Sequence, residues 1–272
     1  MKLRYAWLVV ALIPIVAQAQ DGSPRRASDP GAAAIPEMVP DRPDFTESAT
    51  VIPRGALQFE SGLHYEGDTA SGIDSRAMST PTALLRIGMG RRSELRVSGD
   101  GLLSNSVEHV RTSGYSDVAV GAKFKLFDQR QIGVDLAVLP LVSLPVGTEA
   151  FTSGGADPTI KIAWERELPA GFGLSGNINA ASISEQGQRF RQHALSASLE
   201  HDLFMGYSSF VEVYGLSRMS LDDGNGITIN AGLSHPMGEN QQFDVEAGHG
   251  LSAAAPDWFV GFGFAIRGRL GR

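Results

Sequence analysis

Two histidine–serine pairs supply the residue types that hydrolysis would need. His193 and Ser196 lie three positions apart, and so do His249 and Ser252. Both pairs fall in segments that alternate like β-strands, where residues three apart point to opposite faces. A nucleophile and its base must instead lie within hydrogen-bonding reach of each other. We therefore predict no catalytic site and do not expect the chain to be an enzyme.

The chain also lacks the residue patterns of metal, cofactor and nucleic-acid sites. It has no cysteine, and its six histidines are scattered without the spacing of metal ligands. The paired glycines at Gly88-x-Gly90 and Gly261-x-Gly263 fall within strand-like segments, so they carry little weight as nucleotide-binding motifs. A net charge of −7 disfavours binding to nucleic acid. We predict no metal, no cofactor and no nucleic-acid partner.

Charged side chains of both signs recur at alternate positions of several segments. Because alternate positions of a strand share a face, these side chains would lie together inside a barrel. There they could line a polar path and set its ion or solute preference. They could equally pair into a salt-bridge network that makes the interior rigid, and we favour this network, although both roles are compatible. The predicted lumen-lining residues are Glu60, Arg86, Glu94, Arg96, Lys123, Lys125, Asp135, Lys161, Glu212 and Asp244, with Asp100, Glu165, Glu200 and Glu246 at similar positions.

The elements that position these charges are predicted β-strands. Over residues 57–66, apolar and polar side chains alternate without interruption, beginning with Leu57, Gln58 and Phe59. Such strict alternation predicts a strand, and about ten residues is the length of a tilted transmembrane strand. The chain holds about twelve segments of this kind, the last at residues 257–267.

The connections between these segments alternate between short and long. Short ones lie near residues 91, 129, 169, 205 and 238, whereas longer ones cover 67–77, 103–115 and 145–156. Tight turns on one rim and longer loops on the other are typical of outer-membrane barrels. Aromatic residues beside the short turns predict a girdle at the periplasmic interface: Phe127, Phe172, Phe204, Tyr207 and Phe243. We predict an all-β fold, an antiparallel transmembrane β-barrel of about 12 strands over residues 55–272.

The N-terminal part of the chain has the features of a cleaved leader. Lys2 and Arg4 precede an apolar run at residues 6–16, and Ala17-Gln18-Ala19 resembles a signal-peptidase site. The apolar run is too short for a membrane-spanning helix, which needs roughly twenty residues. We predict a signal peptide at residues 1–19 and export to the bacterial outer membrane. Residues 20–54 are rich in Pro, Ala and Asp without periodicity, which predicts an extended periplasmic segment.

Several motifs of the mature chain resemble one family of bacterial outer-membrane proteins. The most distinctive are Asp41-Arg42-Pro43-Asp44 and Ser143-Leu144-Pro145-Val146-Gly147, and Gly121-Ala122-Lys123-Phe124 also fits. The family is named for a MetA pathway of phenol degradation, and its members are described as transporters. The resemblance covers nearly all of the mature chain. It implies an outer-membrane barrel that moves small solutes, with aromatic or hydrophobic molecules as candidates.

The charged residues before the first strand have two interpretations. Asp41, Arg42, Asp44 and Glu47 could fold back into the lumen and plug or gate it. About thirteen residues between Asp44 and the first strand reach roughly 40 Å at about 3.3 Å per residue, which exceeds a bilayer core of about 30 Å. Alternatively, these residues hold the N-terminus at the periplasmic rim. The sequence leaves both interpretations open.

The predicted function is passive passage of small solutes across the outer membrane. The alternative is a non-conducting structural or ligand-binding barrel that is occluded by its N-terminal segment. The expected partners are outer-membrane lipid, the barrel assembly machinery and a small solute that the sequence does not identify. The assembly machinery usually recognises a terminal aromatic residue; here Phe264 is the candidate, because the chain continues to Arg272.

Overall fold

The computed structural model describes residues 38–70 and 72–269 of the chain. The predicted signal peptide and residues 20–37 of the predicted N-terminal segment lie outside the described residues. The described part is almost entirely β-structure. In it, no helix has the length and apolar character needed to cross a membrane.

The strands follow one another along the chain with few other elements between them. A single helical turn, α1 (Gln129–Ile132), and two 3-10 turns at Pro169–Gly171 and Phe204–Gly206 connect some of them. The strands are β1 (Ala56–Ala70), β2 (Ile73–Gly88), β3 (Ser93–Gly99), β4 (Leu102–Val107), β5 (Val110–Tyr115), β6 (Val118–Phe127), β7 (Asp135–Leu144), β8 (Asp157–Leu168), β9 (Phe172–Glu185), β10 (Gln188–Asp202), β11 (Ser208–Leu216), β12 (Gly226–Pro236), β13 (Gln241–Gly250) and β14 (Trp258–Arg269).

These strands form one closed antiparallel ring. β1 pairs with both β2 and β14, which closes the sheet. β3 and β4 both pair with β2, one after the other, while β6 pairs with β3 and β5 pairs with β4. β3–β4 and β5–β6 are therefore two long strands, interrupted at residues 100–101 and 116–117. Counted this way the ring has twelve strands, and the predicted barrel is confirmed.

The two rims of the barrel differ in their connections. The turn-side rim carries the connections at residues 89–92, 128–134, 169–171, 203–207 and 237–240, as predicted. The opposite, loop-side rim carries an irregular loop at 145–156, but the predicted long connections at 67–77 and 103–115 are wrong. Both segments continue as strands that meet in tight hairpins. They are rich in polar residues and lack the sustained apolar alternation that marks a strand in the sequence.

The apolar alternation of Ile132, Val134, Leu136 and Val138 predicts a strand that begins at Ile132, but the strand begins later. Residues 129–132 form α1, which is capped by Asp128 and ends at Gly133 in a left-handed conformation. The strand therefore starts at Asp135 and not at Ile132. Capping of this helical turn by local side chains outweighs the short apolar alternation there.

The barrel is apolar outside and polar inside. Outward residues on the strands remain exposed, for example Leu195 at 62%, Val211 at 52% and Ile178 at 51%. The interior contains fully buried Arg86 and Lys123 instead of an extensive apolar core. Residues of both kinds alternate along each strand, because successive side chains of a strand point to opposite faces. The aromatic residues Phe204 and Phe243 at the turn-side rim are likewise exposed.

Candidate functional site

Residues 38–54, which we call the lumen segment, run inside the ring. The segment meets the turn-side rim where the amide of Gly55 donates to the carbonyl of Gly88, and β1 begins immediately afterwards. Its middle contacts side chains from strands on all sides of the barrel. The segment contributes backbone amides and carbonyls as well as charged side chains, and the strands supply matching groups.

Asp41 in the lumen segment lies among three cations of the barrel wall. One carboxylate oxygen, Oδ2, is 2.5 Å from Arg96 Nη1, 2.8 Å from Lys123 Nζ and 3.4 Å from Arg86 Nη1. The other oxygen accepts the amide and hydroxyl of Ser48 at 2.9 and 2.7 Å. These groups are almost completely buried. Buried charges require such pairing because their desolvation is costly.

Two wall carboxylates complete this cluster. Glu60 accepts from Arg86 at 3.2 Å and from the amide of Asp41 at 2.9 Å. Glu94 accepts from Arg86 Nε at 2.9 Å and from the amide of Ile52 at 2.8 Å. The backbone of the lumen segment thus shares the same carboxylates as the wall cations. The cluster joins the segment to β1, β2, β3 and β6.

Glu47 extends the contacts toward β8 and β9. Its carboxylate is 2.5 Å from Lys161 Nζ and 2.9 Å from Arg96 Nη2. Its backbone amide donates to Asn177 Oδ1 at 2.7 Å, and its carbonyl accepts from the same side-chain amide at 3.0 Å. Asn177 therefore bonds to both backbone polar groups of Glu47.

Glu212 on β11 holds the opposite side of the lumen segment. Its carboxylate accepts the amides of Phe45 and Thr46 at 2.9 and 2.7 Å, and the hydroxyl of Thr46 at 2.5 Å. The hydroxyls of Thr46 and Ser196 are 2.6 Å apart. The ring of Phe45 stacks on Tyr214, with centroids 4.5 Å apart. These contacts place the segment across the lumen and not only along one wall.

Arg42 bonds to residues of β2 and β13. Its Nη2 is 3.2 Å from Asp244 Oδ1, and its Nη1 donates to Thr82 Oγ1 at 3.1 Å. Gly62 and Gly263 face the guanidinium so closely that a Cβ atom at either position would overlap it. The two glycines therefore leave the room that the arginine occupies.

The other predicted site residues lie apart from these contacts. Lys125 and Asp135 form an ion pair of 2.8 Å at the turn-side rim, where β6 ends and β7 begins. Asp44 belongs to the lumen segment and lines a cavity on its turn side. The prediction of lumen charges did not include the neutral residues Asn177 and Ser196. Neutral polar residues on an inward strand face carry no sequence signal that separates a specific contact from ordinary lumen lining.

Cavities lie on both sides of the lumen segment. Two adjoining cavities of about 410 and 490 Å³ share Arg42, Asp100 and Phe151, and we call them the loop-side chamber. A cavity of about 470 Å³ that contains Asp44 and Glu200 among its lining residues opens toward the other rim, and we call it the turn-side chamber. Arg42 lines both chambers. Its side chain therefore lies where they approach each other.

The loop at residues 145–156 folds against the loop-side chamber. Asp117 holds it by accepting the amides of Gly147 and Ser153, each at 2.9 Å. Burial alone would raise the pKa of Asp117, but these two amides, together with the side chains of Thr152 and Ser153, hold the pKa below its usual value. Phe151 of this loop lines the chamber together with Leu103.

In residues 38–70 and 72–269, no group of three His, Cys, Asp or Glu side chains is placed to hold a metal ion. His201 and His249 contact backbone carbonyl oxygens, and His64 contacts Glu66. What the arrangement offers is a polar lumen divided by charged groups.

Solved structures resemble this fold at low sequence identity. The NanC porin matches with a TM-score of 0.50 and 10% identity, covering 77% of this chain and 98% of that one. The KdgM porin matches with a TM-score of 0.46 and 13% identity, covering 78% and 98%. The transport unit of the autotransporter AIDA-I from Escherichia coli gives 0.48 and 9%, covering 78% and 89%. At 10% identity, the likeness to NanC concerns the fold alone.

The sequence comparisons identify the family. The chain matches no curated protein at a significant level. The model of the family described as "Putative MetA-pathway of phenol degradation" matches residues 40–268. That range takes in most of the lumen segment and almost all of the barrel. The predicted resemblance is confirmed, and the chain belongs to this family of the MetA pathway of phenol degradation.

Proposed function

We propose that this protein is an outer-membrane barrel through which small solutes pass passively, and that the lumen segment acts as a plug that narrows the passage. The outward strand faces carry exposed apolar residues around the ring, among them Ile178, Leu195 and Val211. Soluble proteins rarely expose a large continuous apolar surface, and lipid would cover this one. Exposed Phe204 and Phe243 at one rim fit the interfacial position of aromatic residues.

The observation that carries the transport proposal is the position of Arg42. Its side chain lines both the loop-side and the turn-side chamber. The two chambers open toward opposite rims, so a solute crossing the barrel would pass beside this arginine. The family resemblance implies small aromatic or hydrophobic molecules as candidate solutes, and Phe151 with Leu103 gives the loop-side chamber an apolar wall.

Conductance of purified protein in planar bilayers tests the proposal. The full mature chain should give small, steady currents, and a variant that lacks residues 38–50 should give larger ones because the plug is removed. A variant that lacks residues 21–33 has the same length and serves as the control; its currents should match those of the full chain. Equal conductance with and without residues 38–50 would refute the plug.

A second candidate is a structural or ligand-binding barrel that does not conduct. The observation that favours it is that the lumen segment is bonded to several sides of the barrel wall. These bonds are made by the segment residues Asp41, Arg42, Thr46 and Glu47. Closed bilayers from the full chain and from the deletion variant would both support this candidate and exclude the channel. Liposome swelling with small uncharged solutes gives an independent measure of passage.

The proposal includes export, with a cleaved signal peptide at residues 1–19 and insertion by the barrel assembly machinery. Fractionation of the producing cells combined with N-terminal sequencing measures both steps. We expect a mature chain that begins near Gln20 in the outer-membrane fraction. Protein that is folded and monodisperse in buffer without detergent would contradict it.

A further inference from the structure

The cations and carboxylates of the lumen differ in their access to the chambers. The wall cations Arg86, Arg96 and Lys123 are between 0 and 3% exposed, because the lumen segment and its carboxylates cover them. None of the three lines either chamber in the described structure. Asp41 and the wall carboxylates Glu60 and Glu94 pair with them and neutralise their positive charge locally. A solute in the chambers would therefore not meet these cations.

Carboxylates dominate the turn-side chamber. Its ionisable lining consists of one arginine, Arg42, one histidine, His201, and a larger set of acidic residues, which is Asp44, Glu165, Glu167, Glu200 and Asp202. In residues 38–70 and 72–269 none of these five carboxylates has a cation within ion-pair distance. Glu165 instead accepts from the backbone and hydroxyl of the lumen segment, and Glu200 accepts from Ser175.

The loop-side chamber has the same imbalance. Two of the acids that line it, Asp41 and Glu60, pair with the wall cations. Glu66, Asp100, Asp117 and Glu246 also line it, together with Arg42 and His64. Of the four acids Glu66, Asp100, Asp117 and Glu246, only Glu66 has an ion-pair contact within the described residues, with His64 at 3.4 Å. Glu246 accepts from the side-chain amide of Asn230 at 3.2 Å and has no cation within ion-pair distance among the described residues.

The charge of Arg42, which both chambers share, is itself offset. Asp244 lies 3.2 Å from its guanidinium, and the side chain of this aspartate is fully buried. The arginine therefore contributes little net positive potential to the path. Both chambers therefore contain more carboxylates than cations.

We propose that this path selects cations over anions, and that among small organic solutes it prefers amines to carboxylates of similar size. The inference rests on the passive passage proposed above and names the solute class of the same lumen. Clefts lined by charge of one sign concentrate ions of the opposite sign, and rings of acidic side chains favour cations in channels. Neutral solutes would pass without this discrimination.

The reversal potential of the full chain in a KCl gradient measures the preference. We expect K⁺ to be favoured over Cl⁻ by a ratio on the order of tenfold. The double variant Glu200→Gln with Glu246→Gln removes one carboxylate from each chamber and should lower this ratio several-fold. Glu108→Gln in the exposed turn between β4 and β5 is the matched control and should leave the ratio unchanged.

The lumen segment provides a second test. Its deletion over residues 38–50 exposes Arg86, Arg96 and Lys123 to the path, so the deletion variant should be less cation-selective than the full chain. Currents in the full chain with no preference, or with preference for Cl⁻, would overturn the inference and leave passive passage standing. A ratio that the double variant does not change would also overturn it. Closed bilayers in every variant would instead refute the proposed passage itself.

Discussion

The seating of the lumen segment should depend strongly on the charge of Asp41. The variant Asp41→Asn keeps the size of the side chain and keeps Oδ1 as an acceptor for Ser48, but it removes the negative charge beside three buried cations. We expect the segment to leave the lumen more often in this variant. The rest of the barrel keeps its strand pairing.

The magnitude follows from the partners that remain. Arg86 still contacts Glu60 and Glu94, and Arg96 still contacts Glu94 and Glu47. In the described residues Lys123 has no other carboxylate, and only the carbonyls of Ser48 and Thr50 remain for it. Leaving a buried charge unpaired costs about 3–5 kcal/mol, and the remaining pairs place the value at the lower end, about 3 kcal/mol.

This penalty falls on the seated state. When the segment leaves, water enters the lumen and solvates the wall cations. The substitution therefore changes the free energy of the unseated state only a little. A cost of about 3 kcal/mol shifts the equilibrium roughly a hundredfold, since about 1.4 kcal/mol is tenfold. The amides of residues 45–49 should therefore exchange with solvent about a hundred times faster in Asp41→Asn than in the unchanged protein.

Hydrogen exchange followed by mass spectrometry separates the lumen segment from the strands. The strand amides should keep their protection, and bilayer currents of the variant should show more frequent large openings. Asp222→Asn, in the exposed loop after β11, makes the same chemical change away from the lumen and should alter neither readout. Unchanged exchange of residues 45–49 would show that the buried ion pairs do not hold the segment.

Three further changes test other contacts. In Gly263→Ala the new methyl group would displace Arg42, and the loss of a charged hydrogen bond of about 1.5–3 kcal/mol should speed exchange of the lumen segment at least tenfold. Leu195→Arg on the outward face should lower the free energy of unfolding in vesicles by about 2–4 kcal/mol, measured by urea titration, whereas Leu195→Ile should not. Asp117→Asn should release the loop at 145–156 and raise its exchange rate at neutral pH. The pKa of Asp117 is lowered in the folded state, so its carboxylate stabilises the loop fully at pH values above the usual pKa of about 4. This stabilisation is lost as the pH falls through the lowered pKa. Loop protection should therefore persist at pH 5 and disappear in stronger acid.

The barrel could be predicted from the sequence because lipid-facing and lumen-facing residues alternate with a period of two. The signal is present wherever one face is apolar, as in residues 57–66. It is not sustained in the hairpins at the loop-side rim, where polar residues predominate, and the sequence therefore predicts loops there. It also failed at α1, where local capping by Asp128 decides the conformation.

The lumen site could be predicted only in part. Inward charged residues such as Arg86 and Glu212 follow the alternation of their strands, so the sequence predicts that they face the lumen. Their partners are not predictable, because the lumen segment has no periodicity and its contacts are distant in sequence; Arg42 and Asp244 are 202 positions apart. The stacking of Phe45 on Tyr214 likewise depends on tertiary structure alone.

The placement of charge around the ring has a consequence for a barrel from which the lumen segment has been removed. Arg86, Arg96 and Lys123 stand on three neighbouring strands, β2, β3 and β6, while Glu200 and Glu212 stand on β10 and β11 across the ring. On that side of the ring the three cations outnumber the wall carboxylates Glu60 and Glu94 by one. Without the lumen segment, a weakly basic wall would therefore face an acidic one across the barrel axis. The resulting transverse electric field would turn a zwitterion crosswise during its passage, with its anionic end toward β3 and its cationic end toward β11.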